Sequence, residues 1–276
     1  AGGALGAAYA ALYIYAGKSR TPSKNAEDRM QGSYLGPEFG KKDIRPLIAR
    51  YGAVMQQITD LEMYRRLARL LADGHVIGWF QGRMEWGPRA LGNRSILGDP
   101  RHPEMQRRLN LKIKFREGFR PFAPSVQMEE SERLFELKHP SPYMLLVAPV
   151  QPSIRQVLPD NYDQMELYER LYVLRSDLSA ITHVDFSARI QTVHRETNPR
   201  YWNLINAFKD LTNFGCIVNT SFNIRGEPIV CTPDDAYRCF MRTEMDYLVI
   251  GDFFFDKRDQ PTWEEEKTVE QLFEPD

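Results

Sequence analysis

Leu61, Tyr64, Leu67 and Leu71 recur at three- and four-residue spacing, the period of a helix with one apolar stripe. Gly74 follows where such a helix needs a stop. Tyr201, Leu204, Ile205, Phe208 and Leu211 repeat the same period further along. Short apolar runs bounded by turn formers predict strands at residues 75–80, 121–127, 143–150, 188–194, 216–219 and 247–250, with 253–255 continuing the last. Thr232, Pro233, Asp234 and Asp235 predict a helix start: a hydroxyl cap, a first-turn proline, and two acids on the positive end of the dipole. Residues 103–110 predict a short helix, residues 1–17 an Ala-rich helix, and residues 18–42 a polar, turn-rich linker. Residues 151–180, with Pro152 and Pro159, read as a long excursion. Strands and helices alternate, so the fold class is α/β (α+β).

Composition narrows the class. The 276 residues carry 42% hydrophobic and 26% charged side chains, ordinary for a globular chain of one large or two small domains. No apolar run reaches the roughly 20 residues of a membrane helix. The apolar start lacks a basic n-region and is interrupted by tyrosines, which argues against a signal peptide. Three cysteines with no C-x-x-C pair argue against a disulfide framework or a zinc site and for a reducing, cytoplasmic setting. The five histidines show no ligand spacing, so no protein-held metal is expected.

Charge is unevenly spread. Residues 82–120 hold ten Lys or Arg against four Asp or Glu, in a chain of formal net charge −1. Glycines and prolines interleave the arginines, so backbone N–H groups and guanidinium forks can meet at turns, an arrangement suited to phosphate. Arg83, Glu85, Arg89 and Arg94 form a first cluster, with Arg89 and Arg94 flanking Gly92. Lys114, Arg116 and Arg120 form a second; on an extended chain they share one face and repel one another unless an anion sits there. Ser221 and Asn223 end an apolar run with Phe222 pointing inward, well placed for a ligand at the end of a strand. Asp185 either binds a nucleotide hydroxyl or pairs with Arg189. The chain lacks a G-x-x-x-x-G-K-[ST] loop and a G-x-G-x-x-G turn, so side-chain cations would replace the glycine cradle.

The stretches GRMEWGPRALGNRS, NLKIKFREGFRPFAPS and NTSFNIRGEPIVCTPDDA closely resemble the C-terminal part of the O-carbamoyltransferases of the nodulation and antibiotic-biosynthesis type, over roughly residues 45–256. The resemblance implies a YrdC-like (Sua5-like) fold, a twisted mixed sheet flanked by helices, over residues 43–276. Lys114-x-Arg116 and Ser221-x-Asn223 look like the K-x-R and S-x-N pair of that fold. Residues 1–42 resemble the last helix of a preceding Kae1-like domain plus a linker. A fragment of a longer protein is therefore expected, as the initial Ala also suggests. The apolar face of residues 1–17 is a candidate homodimer contact.

The resemblance further implies a reaction. ATP, with its Mg²⁺, and carbamoyl phosphate yield carbamoyl adenylate, and an N-terminal Kae1-like domain passes the carbamoyl group to a hydroxyl. Lys114, Arg116, Ser221 and Asn223, with Asp185 and Arg189, are then expected to serve the nucleotide. Arg83, Arg89, Arg94 and Arg120 are expected to hold carbamoyl phosphate, with Arg89, Lys114 and Arg120 catalytic. The rivals are an RNA-binding module and a nucleotide-binding domain without chemistry. The compact cluster and a pI near 6.6 argue against nucleic acid.

Overall fold

The computed structural model describes residues 3–21, 28 and 30–263. Nine strands form one mixed sheet: β1 Gln56–Gln57, β2 Ile77–Phe80, β3 Arg94–Gly98, β4 Ala123–Gln127, β5 Leu146–Pro149, β6 Ser187–Val193, β7 Cys216–Ser221, β8 Tyr247–Ile250 and β9 Phe253–Asp256. Their order is β1-β9-β8-β2-β3-β7-β4-β6-β5. The β2/β8 and β4/β6 pairs are parallel and the other pairs antiparallel.

Side-chain alternation assigns each central strand to two cores. Trp79, Leu97, Ile217 and Val249 face one layer, where they meet Met63, Leu67 and Leu71 of the helix Asp60–Ala72 and Tyr201, Leu204 and Phe208 of the helix Pro199–Thr212. Phe80, Ile96, Val218 and Leu248 face the other, with Ile44 and Leu47 of the helix Lys41–Tyr51 and Tyr237 and Phe240 of the helix Pro233–Arg242. Each such apolar side chain, fully buried, contributes about 1.5–3 kcal/mol. Among the described residues no helix is long and apolar enough to cross a membrane.

The expected elements form, with instructive differences. In the helix Asp60–Ala72, Leu61 is exposed and Met63 and Ala68 are buried in its place, so the stripe is rotated from the expected one. Gly74 takes a left-handed φ of 85° at the expected stop. Residues 253–255 do not continue the strand before them. A turn with Gly251 at φ 58° folds them back, and β9 pairs antiparallel with β8. The N-terminal helix spans Gly3–Ala10 and runs into a wider turn, Ala11–Tyr15, with no buried residue in either.

Part of the expected linker is fastened down. The N–H of Trp86 donates to Ser33 O, that of Gly36 to Met84 O, and that of Met84 to Pro37 O. Tyr34 Oη donates to Leu91 O at 2.7 Å. Residues 33–37 therefore form a strap across the segment that carries the first arginine cluster.

Candidate functional site

The second cationic cluster is built by a turn, not by an extended strand. The helix Met105–Arg108 passes into a wider helical turn, Leu109–Ile113, which Lys114 closes. Phe115 then adopts a left-handed φ of 47°, and the alternation expected for Lys114, Phe115 and Arg116 is lost. Sheet-like spacing and a tight turn both place residues 114 and 116 near each other, and the local pattern does not separate the two.

Lys114 is buried and reaches β7. Its ammonium donates to Ser221 O, to Ser221 Oγ (3.2 Å), to Asn223 O (2.9 Å) and to Asn223 Oδ1 (2.8 Å). Ser221 Oγ donates to Asn223 Oδ1 at 2.6 Å, and Asn223 Nδ2 to Glu227 O at 2.6 Å. Between the two polar residues Phe222 is fully buried, as its inward position in the sequence pattern suggested. The three-residue turn is thus anchored by one aromatic ring below and one ammonium beside it. Burial first, and the Arg116 charge to a lesser degree, depress the Lys114 pKa to about 7.

Arg116 is oriented by two neighbours: its Nε donates to Asn110 Oδ1 at 2.7 Å, and its guanidinium lies 4.9 Å from the Phe122 ring centroid. Burial and then the Arg120 charge lower its pKa. Arg120 pairs with Glu117 (3.2 Å), whose other oxygen lies 3.9 Å from Arg225. Lys114, Arg116, Arg120, Arg225, Ser221 and Asn223 line one cavity of about 480 Å³. Four cationic side chains converge there, and Glu227 shares the wall. Burial raises the Glu227 pKa, which weakens it as a counter-ion. Sequence reasoning missed Arg225 and Glu227; the signal was the R-G-E run immediately after S-x-N.

The first cluster lies elsewhere on the chain and divides by burial. Arg94 is fully buried: its guanidinium donates to Gln81 O (2.7 Å), Gly82 O (3.3 Å), Asn93 O (3.0 Å) and Pro37 O (3.3 Å) and stacks 3.5 Å from the Phe80 ring. Burial lowers its pKa to about 10. It joins the strap to β2 and β3. Arg83 Nη2 donates to Leu35 O at 3.4 Å on the surface. Glu85 is buried, and its Oε1 accepts from the N–H groups of Leu91 (2.6 Å), Asn93 (2.8 Å) and Arg94 (3.3 Å). Gln191 and Asn219 hold the carbonyls of Leu91 and Ala90, and Trp79 holds that of Gly92. On this fixed base Arg89 stands exposed at the tip of the loop.

Asp185 and Arg189 do not pair. Asp185 accepts from Ser187 N (3.0 Å) and Ser187 Oγ (2.6 Å) and faces His183 Nδ1 at 3.2 Å, closing its own turn. Phe186, at a left-handed φ of 62°, breaks the extended chain between them, and the Arg189 pKa is lowered by burial and then by the charge of Arg89. Arg89 and Arg189 are therefore electrostatic neighbours, although 100 residues apart in sequence. Among the described residues there is no cluster of three or more His, Cys, Asp or Glu suited to a metal ion.

Comparison with known proteins gives the site a context. Residues 68–257 match the family model described as the carbamoyltransferase C-terminus. The chain is 54% identical over its full length to an uncharacterised protein of Synechocystis, sll1178, covering 45% of that protein. It is 43% identical to the nodulation protein NolNO of Sinorhizobium fredii over 84% of this chain and 32% of that one. It is 34% identical to the 3'-hydroxymethylcephem-O-carbamoyltransferase of Amycolatopsis lactamdurans over 93% of this chain and 42% of that one. The chain thus spans less than half the length of these curated relatives. Full-length HypF, solved in its phosphate- and nucleotide-bound form, aligns with 75% of this chain and 22% of its own at 14% identity and a TM-score of 0.40.

Proposed function

The chain belongs to the carbamoyltransferase C-terminal family, and on that premise we propose that it performs the activation half of an O-carbamoyl transfer, forming carbamoyl adenylate. The observation that carries this reading is the single cavity on which Lys114, Arg116, Arg120 and Arg225 converge beside Ser221 and Asn223. Carbamoyl phosphate and ATP repel each other, and gathering them requires concentrated positive charge. Water releases phosphate from carbamoyl phosphate and leaves carbamate. A carbamate oxygen then bonds to the α-phosphorus of ATP as the bond to the pyrophosphate oxygen breaks. Such a step needs positioning and charge stabilisation more than a covalent nucleophile. Mg²⁺ enters as part of the ATP substrate, on phosphate oxygens and waters.

In this reading Lys114 fixes the Ser221–Asn223 turn against the phosphates, and Arg116, Arg120 and Arg225 take the charge. Arg89, exposed on its loop, meets the carbamoyl phosphate side. Arg94, already committed to four carbonyls, takes no share in binding. The onward transfer, the hydroxyl acceptor and the N-terminal Kae1-like domain belong to the longer protein. Carbamoyl-phosphate-dependent exchange of labelled pyrophosphate into ATP tests the half-reaction. Exchange that proceeds equally without carbamoyl phosphate, or binding of ATP with no exchange, would contradict it.

A further inference from the structure

A second, larger cavity of about 930 Å³ lies between residues 106–121 and the excursion that follows β5. Its walls include Phe119, Tyr162, Tyr168, Tyr172 and Val184. The sheet does not need the excursion: β5 and β6 are antiparallel neighbours that a short hairpin would connect. The extra residues build a wall instead.

Apart from Glu166, the charged groups on that wall are already paired, Arg107 with Glu104 at 3.7 Å among them. Arg170 donates to the carbonyls of Met165 (2.8 Å) and Asp163, and Arg175 to those of Arg170 and Leu171. His183 faces Asp185, and Glu117 faces Arg120. Ring faces and tyrosine hydroxyls remain. Tyr168 and Tyr172 meet edge to face, with centroids 5.2 Å apart and hydroxyls 3.1 Å apart. A wall of this kind takes a flat, uncharged group with a few hydroxyl or ring-nitrogen partners.

The two cavities share one partition. Glu117 lines the large one, while its carboxylate pairs with Arg120 and approaches Arg225, both of which line the small one. The partition is thin: a Cβ built on Gly118 would lie 3.7 Å from Tyr172 Oη. Its backbone carbonyls are held from the far side, Gly118 O and Arg120 O by Asn110 Nδ2 at 3.2 and 2.9 Å.

We propose that the tyrosine-lined cavity seats the base and sugar of a nucleoside phosphate whose phosphate chain lies in the cationic cavity, with Glu117 displaced from Arg120 by the incoming phosphate. The proposal rests on the anion-site reading above and adds the residues that choose the uncharged end. Tyr168, Tyr172 and Phe119 are then specificity residues, and the excursion exists to carry two of them.

Calorimetric titration of the chain with ATP and with inorganic tripolyphosphate separates the two ends of the ligand. The native chain is expected to bind ATP at least tenfold more tightly than tripolyphosphate. Tyr172→Ala is expected to reduce that ratio at least fivefold while leaving tripolyphosphate affinity within twofold. Phe119→Ala, at a side chain 56% exposed, gives the same reading on a surface position that folding does not depend on. An unchanged ratio in both variants, with tripolyphosphate still bound, overturns this inference alone. Failure of the native chain to bind either ligand overturns the anion site as well.

Discussion

Lys114 Nζ lies 2.8 Å from Asn223 Oδ1, a contact that closes 109 residues of sequence. The ammonium has four oxygen neighbours, all from residues 221 and 223, and no carboxylate among them. Removing it leaves Ser221 Oγ and Asn223 O without that donor, while Ser221 O keeps the Asn223 N–H and Asn223 Oδ1 keeps the Ser221 hydroxyl. Lys114→Met is therefore expected to cost about 1–3 kcal/mol of stability as well as pyrophosphate exchange. Denaturant melts alongside the exchange assay check this; a fully stable, fully active variant would sink the role assigned to the residue.

Arg120→Ala isolates charge from architecture. The side chain is half exposed and its partner Glu117 is 43% exposed, so their ion pair contributes about 0–1 kcal/mol. Exchange is expected to fall at least a hundredfold with the melting temperature within about 2 °C of the native value. A large drop in melting temperature would make the residue structural instead.

The pH response follows from Lys114. Its folded pKa is lowered from 10.5 to about 7. Between those values the unfolded chain binds more protons than the folded one, so this residue makes stability rise as pH rises from about 7 towards 10. Anion binding runs the opposite way, because the ammonium is lost as pH rises through 7. Tripolyphosphate affinity is expected to weaken between pH 6.5 and 8.5 in the native chain and to stay flat in Lys114→Met. Parallel slopes in the two proteins would assign the titration to another group.

Arg94→Leu is expected to destabilise the fold by about 3–5 kcal/mol, since four carbonyls lose the guanidinium inside the protein and only two of them, Pro37 O and Asn93 O, keep a backbone donor from Met84 and Gln81. Any activity that survives should carry a native KM for carbamoyl phosphate. A raised KM with a native melting temperature would return Arg94 to the binding site.

Gly92→Ala probes the loop that presents Arg89. Its φ is 107°, and a Cβ there would stand 2.2 Å from the Tyr201 ring. A loss of at least about 3 kcal/mol is expected on chemical denaturation, because backbone strain and overpacking coincide. A native melting curve would show that the loop is looser than its bonds to Glu85, Gln191 and Trp79 imply.

Several of these features are legible in the chain alone. The period of residues 201–211, the cap at Thr232 and the apolar runs of β2, β4 and β7 each report a local preference that tertiary packing reinforces. The hydroxyl cap at Thr232 forms as read, with Asp235 N at 3.2 Å from Thr232 Oγ1, and the structure adds the reciprocal bond from Thr232 N to Asp235 Oδ2 at 2.9 Å. The inward Phe222 follows from strand alternation. The turn at Lys114 was not legible, because two cations separated by one residue suit a strand and a turn equally. Nor was the rotation of the stripe that exposes Leu61, since Met63 and Leu61 are equally apolar until a sheet chooses one.

By itself, then, the order of residues determined the α/β class, most of the elements and the supply of cations between residues 82 and 120, but not the central strand β3, which lay unread inside the basic stretch. Only the tertiary structure decided which of those cations act together. Arg94 and Arg120 are the same residue type in the same basic stretch, yet one is enclosed by four carbonyls and the other opens on a cavity. That difference comes from long-range neighbours: Pro37 accepts from the first, and residues 221 and 223–228 line the cavity on which the second opens. Burial and charge are properties of a place in space, and adjacency along the chain does not specify them.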